Sequence, residues 1–301
     1  MITILKQHWK LPLIALIALM FAIVSVFTQP KAAKHEPLVL PPRTSYHQAL
    51  AGIGVIEPQS EVIAIGAELP GIVRSVQVKV GDAVAKNAPL FSLDSRDADA
   101  TIAVLQALLA TAEVQLADAS AQFEIVNGIE DRRAVAKDDF NRRKYGKQIA
   151  AARVEEIRAQ LDEAIVTQDR LTIRAPIEGT ILEVNVRPGE YATTGNLGTP
   201  LMIMGDTSVL HVRVEIDEEN AFRVLPGSQA EGMLRGQPDR VFPLTFVRFE
   251  PYVRPKQNLA TLGQRVDTRV MRVIYALPDT KERLLVGQQM DVYIKESSTK
   301  E

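Results

Sequence analysis

The sequence predicts a mainly β protein that carries one long α-helical coiled-coil hairpin. Three observations predict it: a strand-turn motif that occurs twice, a proline-free stretch with heptad spacing between the two copies, and a strand-rich C-terminal third.

The repeat comes first because it organises the rest. Residues 70–82 read PGIVRSVQVKVGD and residues 178–190 read EGTILEVNVRPGE. Gly71 matches Gly179, Val76 matches Val184, Val78 matches Val186, Gly81 matches Gly189, and Asp82 meets Glu190. Alternating apolar and polar residues imply a half-buried strand, and a Gly–acid pair implies a tight turn. Gly71, Gly81, Gly179 and Gly189 are therefore read as the turn glycines of the repeat. Each copy runs on to a Pro–Leu pair, Pro89–Leu90 and Pro200–Leu201, the second after about three extra loop residues. Residues 62–94 and 171–205 are expected to pair into one small β-sandwich.

Between the copies, from Ser95 to Arg170, there is no proline, and good helix formers dominate. Ser95 is expected to cap the first helix, with Asp97 and Asp99 in its positive first turn. Ile102, Leu105, Leu109, Ala112, Leu116, Ala119, Phe123 and Val126 recur at alternating steps of three and four, a coiled-coil seam. Asn127–Gly128 is a turn signal. A second helix is expected from about Lys137 to Arg170, with Phe140, Arg143, Lys147, Ala150, Val154, Ile157, Leu161, Ala164, Gln168 and Leu171 along its seam. The two should form an antiparallel hairpin over 95–170, about 45–50 Å long at 1.5 Å per residue. Its seam is apolar at the base and polar toward the tip, at Arg143 and Lys147.

At the N-terminus Lys6 and Lys10 precede an apolar run from Leu11 to Phe27, roughly 17 residues or about 26 Å as a helix. Residues 11–27 are read as a retained transmembrane anchor, with a cleaved signal peptide as the alternative. Residues 1–10 are placed in the cytoplasm and the rest of the chain outside, by the positive-inside bias. Residues 28–44 hold Pro30, Pro37, Pro41 and Pro42 and read as an extended linker.

Several function classes drop out. The net charge of -2 gives no basic surface for a nucleic acid. The absence of cysteine removes disulfides, thiolate metal sites, a cysteine nucleophile and an acylated-cysteine anchor. His8, His35, His47 and His211 show no metal-ligand spacing, and no GxxxxGK[ST] loop is present, so ATP hydrolysis is not expected of this chain. Asp217, Glu218 and Glu219 read as a solvated helix start. No catalytic residue, cofactor or metal site is expected.

The order of anchor, half-motif, hairpin, half-motif and all-β C-terminus resembles the membrane fusion protein family, the periplasmic adaptors of the haemolysin-D-like class. The most specific pieces are PGIVRSVQVKVGDAVAKNAPLFSLDSRD and LTIRAPIEGTILEVNVRPGE, and the likeness covers about residues 50–296. The resemblance implies that 62–94 and 171–205 form a lipoyl-like domain and that 206–262 form a β-barrel domain. It further implies that 45–61 and 263–296 form a membrane-proximal β domain, with strands near 46–57, 266–277 and 284–294. A true lipoyl domain carries a modified lysine at the joining turn. Here the hairpin takes that place, and Lys86 reads as an exposed loop residue.

The resemblance also places the bulk of the chain in the periplasm and implies an efflux or secretion system with an inner-membrane transporter, most like an ABC-type permease with its ATPase. It implies self-association into a ring, expected to be a hexamer, and leaves an outer-membrane channel open as a partner. An adaptor of a proton-driven pump and a non-transport periplasmic scaffold are the alternatives. Many adaptors carry an Arg, Leu, Ser pattern at the hairpin tip. Aligned on AVAKDDF, those roles fall on Ile125, Ile129 and Ala136, and only the apolar one is kept. Arg132, Arg133 and Lys137 are the other candidate tip contacts.

Overall fold

In the computed structural model, residues 10–27, 44–129, 136–195, 198–256, 269–280 and 282–296 are described. The N-terminal helix α1 (Lys10–Phe27) is 18 residues long. Its length is about 27 Å at 1.5 Å per residue, close to the hydrocarbon thickness of a bilayer. It forms its own unit, and the chain from Arg43 onward forms a second.

Period-2 alternation builds most of the second unit. Strands β1 (Ala49–Pro58), β10 (Leu210–Asp217), β11 (Ala230–Leu234), β12 (Gln237–Pro255), β13 (Arg269–Ala276) and β14 (Gln289–Lys295) close a barrel in the order β1-β10-β13-β12-β11-β14. Every neighbouring pair is antiparallel. Alternate residues point inward, so Ile56, Val212, Val214, Val273, Tyr275, Met290, Val292 and Ile294 share one core. Gly54 makes room for it: a Cβ there would lie 2.5 Å from Val212 Cγ1 and 2.8 Å from Val292 Cγ2. Closure leaves the barrel no free edge strand.

This corrects the expected division. The strands assigned to a separate membrane-proximal domain, 45–61 and 263–296, are staves of the same barrel as 206–262. The reason is register: β1 pairs with β10 from Ile53↔Glu215 to Pro58↔Leu210 and with β14 from Ala49↔Lys295 to Val55↔Gln289. One strand bridges both groups, which no local pattern reveals. The expected strand at 284–294 begins only at Gln289, because Gly287 adopts φ +85 and turns the chain. The expected strand at 266–277 is seen as Arg269–Ala276, its first residues lying outside the described ones.

Inside the barrel the Tyr275 ring meets Phe246 edge-on at 5.9 Å, and Phe246 meets Phe249 at 4.9 Å. The Tyr275 hydroxyl is buried without a hydrogen-bond partner, and burial raises its pKa. An unpaired buried hydroxyl costs free energy that a phenyl ring does not. Tyr275→Phe should therefore stabilise the barrel by about 1 kcal/mol, read from a urea unfolding curve. An unchanged or lower midpoint would show that the hydroxyl is served in solution.

The sandwich contains β2 (Ile63–Ile65), β3 (Gly71–Val76), β4 (Ala83–Val84), β5 (Pro89–Leu93), β6 (Thr172–Arg174), β7 (Gly179–Val184), β8 (Tyr191–Ala192) and β9 (Met202–Gly205). They form two four-stranded sheets, β2-β9-β7-β4 and β6-β5-β3-β8, each containing strands from both copies. Val73, Leu90, Phe91, Leu93, Ile181, Met202 and Met204 fill the space between them.

Between β5 and β6 the chain leaves as α2 (Arg96–Asn127) and returns as α3 (Lys137–Asp169). These boundaries lie within a residue of the expected ones. Ser95 holds the N-cap position but does not cap: its hydroxyl donates to the Asp99 carboxylate at 3.0 Å. With an acceptor four residues along its own helix, the hydroxyl serves a side chain rather than the orphan backbone N–H groups. The first helix stops at Asn127, and the Gly128 N–H bonds back to the Glu124 carbonyl at 2.9 Å.

Candidate functional site: the split sandwich and its helical arm

The two copies interlock through equivalent backbone bonds. The Gly81 N–H donates to the Ile181 carbonyl at 2.8 Å, and the Gly189 N–H donates to the Val73 carbonyl at 2.8 Å. In return the Ile181 N–H donates to Asp82 at 2.9 Å and the Val73 N–H to Glu190 at 2.8 Å. The acids close both turns alike: the Lys79 N–H donates to the Asp82 carboxylate at 2.8 Å and the Arg187 N–H to that of Glu190 at 2.9 Å. Gly81 and Gly189 adopt φ +92 and +88, a left-handed conformation that favours glycine. Gly71 and Gly179 are not turn residues: they open β3 and β7. Val76 and Val184 pack against one shared core.

The arm holds itself together. Ala112, Val154 and Ile157 are buried, with Leu109 and Leu116 packed beside them. Ile102, Leu105, Phe123 and Leu161 are half-buried on the same seam. Toward the tip the contact becomes aromatic and charged. The Phe123 and Phe140 rings stand 5.6 Å apart, and the Lys147 ammonium lies 5.3 Å from the Phe123 ring centroid. Lys147 also pairs with Glu124 at 3.2 Å, and the Arg143 guanidinium donates to Gln122 at 3.5 Å. The polar seam residues thus bridge the two helices of this chain.

By length and composition α2 would also serve as a membrane span. Its apolar seam is covered by α3, however, and Glu113 pairs with Arg158 of that helix at 3.6 Å.

Of the tip residues, Ile125 is 71% exposed and Ile129 is 39% exposed. Ala136 and Lys137 are exposed, Lys137 opening α3. Arg132 and Arg133 lie outside the described residues.

At the arm's root, charge does the fastening. Asp94 accepts two bonds from the Arg96 Nε at 3.0 Å, and Arg74 stands 3.8 Å away. Arg170 pairs with Glu68 at 2.8 Å and Arg174 with Asp169 at 3.4 Å. The Arg96 side-chain hydrogen bond holds the Asp94 carboxyl down to about 2 from 3.8. A depressed carboxylate stabilises fully above its unfolded pKa and loses that contribution as pH falls through the folded value. Protection of the root amides should therefore fall between pH 3.8 and about 2 in the wild type, and Asp94→Asn should flatten that step. The readout is amide exchange against pH.

No group of three or more His, Asp or Glu residues could hold a metal among the described residues. His211 sits on β10, its pKa lowered first by burial and then by Arg248. The sequence reasoning missed the network around Asp206, where a cavity of 590 Å³ is lined by Ala83–Ala85, Glu178–Thr180 and Asp206–Ser208. Its polar residues come from segments far apart in the sequence, so no motif marks them.

What this geometry defines is a barrel and a split sandwich that carries a helical arm. Residues 61–196 match the family model for a CzcB-like, barrel-sandwich hybrid domain. A curated relative, the macrolide export protein MacA of Escherichia coli O157:H7, is 22% identical over 247 residues, covering 77% of this chain and 66% of its own length. The chain thus spans just under two thirds of that relative.

Among solved structures, MacA from Actinobacillus actinomycetemcomitans superposes with a TM-score of 0.71 at 18% identity, over 86% of this chain and 82% of that one. The membrane fusion protein Spr0693 from Streptococcus pneumoniae R6 superposes with a TM-score of 0.64 at 16% identity, over 83% of this chain and 100% of that one. At 16–18% identity these two likenesses show a shared fold.

Proposed function

We propose that this chain is the periplasmic adaptor subunit of a multi-component export system. In this reading α1 is the single inner-membrane anchor. An ABC-type permease with its ATPase is the transporter, and copies of the chain associate into a ring, with six as the expected number. The observation that carries the reading is one β-sandwich assembled from both sides of an inserted helical arm. The Escherichia coli relative is a macrolide export protein, which supports the export assignment.

The division of labour follows from the parts. A closed barrel without free edges suits contact with a folded partner rather than strand exchange. The arm's tip offers Ile125, Ile129, Ala136 and Lys137 to a helical partner, with Arg132 and Arg133 as further candidates. An outer-membrane channel is the partner such a tip would meet.

The test is recovery of the full chain from membranes under mild detergent. A transporter should co-purify, and photo-crosslinkers at Ile125 and Ala136 should capture a second protein. Recovery in the soluble fraction, with its N-terminus removed and no transporter bound, would overturn the assignment.

A further inference from the structure

Two connectors run side by side between barrel and sandwich: residues 59–62, from β1 to β2, and residues 206–209, from β9 to β10. Two short parallel linkers would ordinarily act as a hinge. Here they are bonded across. The Gln59 N–H is shared between the carbonyls of Asp206 at 3.1 Å and Val209 at 3.2 Å. The Asp206 N–H donates to the Ser60 hydroxyl at 2.8 Å. The Asp206 carboxylate takes the Ser208 N–H at 2.9 Å and the Gln59 side-chain amide, which also donates to Ser208 Oγ at 2.8 Å.

Packing closes the same joint. A Cβ on Gly205 would lie 2.5 Å from Pro58 Cγ, so the ends of β9 and β1 touch backbone to ring. The Thr180 and Thr207 hydroxyls meet at 2.8 Å, tying the sandwich to the second connector. Arg248, on the barrel, pairs with Glu61 on the first connector at 3.0 Å. The hydrogen bonds from Ser208 and then Gln59 lower the Asp206 pKa, as expected of an acceptor used in its charged form.

We propose that Asp206 is a positioning residue that locks the two connectors, so that barrel and sandwich turn as one lever instead of hinging at their joint. The consequence for export rests on the adaptor reading, because a lever matters only when a transporter pushes on it. The lock itself does not.

The chain has no cysteine, so pairs of spin labels can be placed without removing any. Val80→Cys on a sandwich turn and Val241→Cys on the barrel are both exposed. In the detergent-solubilised full chain, this pair should give one narrow distance distribution. Asp206→Ala should broaden it, and Asp206→Asn, which keeps an acceptor oxygen, should restore the narrow form. A third label site, Val114→Cys on α2, paired with Val80→Cys, should be unmoved by Asp206→Ala, which separates a loosened joint from general unfolding.

A broad Val80–Val241 distribution in the otherwise wild-type chain would overturn the proposal, as would no effect of Asp206→Ala. If the distances behave as expected and no transporter is found, the lock stands and the adaptor reading falls.

Discussion

Gly179→Ala should cost about 3 kcal/mol, whereas Gly71→Ala at the matching repeat position should change stability by less than about 1 kcal/mol. The repeat aligns these glycines, yet their surroundings differ. A Cβ on Gly179 would lie 2.6 Å from the Gly205 carbonyl oxygen, 2.9 Å from its carbon and 3.2 Å from the Asp206 nitrogen. All three are backbone atoms at the joint between sandwich and barrel, and no rotamer change relieves them. A Cβ on Gly71 meets only Leu93 side-chain atoms at 3.6 Å or beyond, ordinary contact distance. A methyl group there can even help, because alanine in a strand gives up less chain entropy than glycine. Thermal and urea unfolding of the two single variants compare them directly. Equal losses would mean that the glycines serve the repeat and not the joint.

The second large effect concerns the arm. Ile157→Asp should unfold the hairpin while leaving the β body folded. Ile157 is 2% exposed and is one of three buried residues in the arm's small core. A carboxylate there loses the packing of the isoleucine and must be dehydrated without a partner, together at least about 3 kcal/mol. The arm has little to spare, because outside this cluster its seam is mostly half-buried and its cross-helix ion pairs, such as Arg158–Glu113 and Lys147–Glu124, are exposed. Such pairs contribute on the order of 0–1 kcal/mol each. Hydrogen exchange should show protection lost over α2 and α3 and kept in β3, β7 and the barrel strands. Helical circular dichroism should fall in parallel. Loss of protection throughout the chain would show that arm and sandwich fold as one cooperative unit.

Much of this could be read before any coordinates. The heptad spacing from Ile102 to Val126 and from Phe140 to Leu171 placed both helices, because a seam must recur every three or four residues to stay on one face. The matched turns at Gly81–Asp82 and Gly189–Glu190 declared a two-fold sandwich, because only a left-handed turn and its acid explain the shared pattern. Gly71 and Gly179 were less legible, since a glycine opening a strand and a glycine in a turn look alike in one dimension. Nor does spacing show that Arg143 and Lys147 reach across to Gln122 and Glu124 within the same chain. The Asp206 network could not be foreseen, for Gln59, Ser60, Asp206 and Ser208 are ordinary loop residues until two distant connectors are laid side by side.

By itself the sequence determined what depends on neighbours along the chain: the apolar helix at the N-terminus, the alternation of the strands, the heptad arm and the repeat that frames it. These follow from periodicity, which one segment carries without reference to any other. Only the tertiary structure decided that β1 joins β10 and β14 in one closed barrel, and that Gly179 and Gly205 must be bare so that barrel and sandwich can abut. Such facts rest on register and close approach between segments far apart in sequence, and those are properties of the assembled chain.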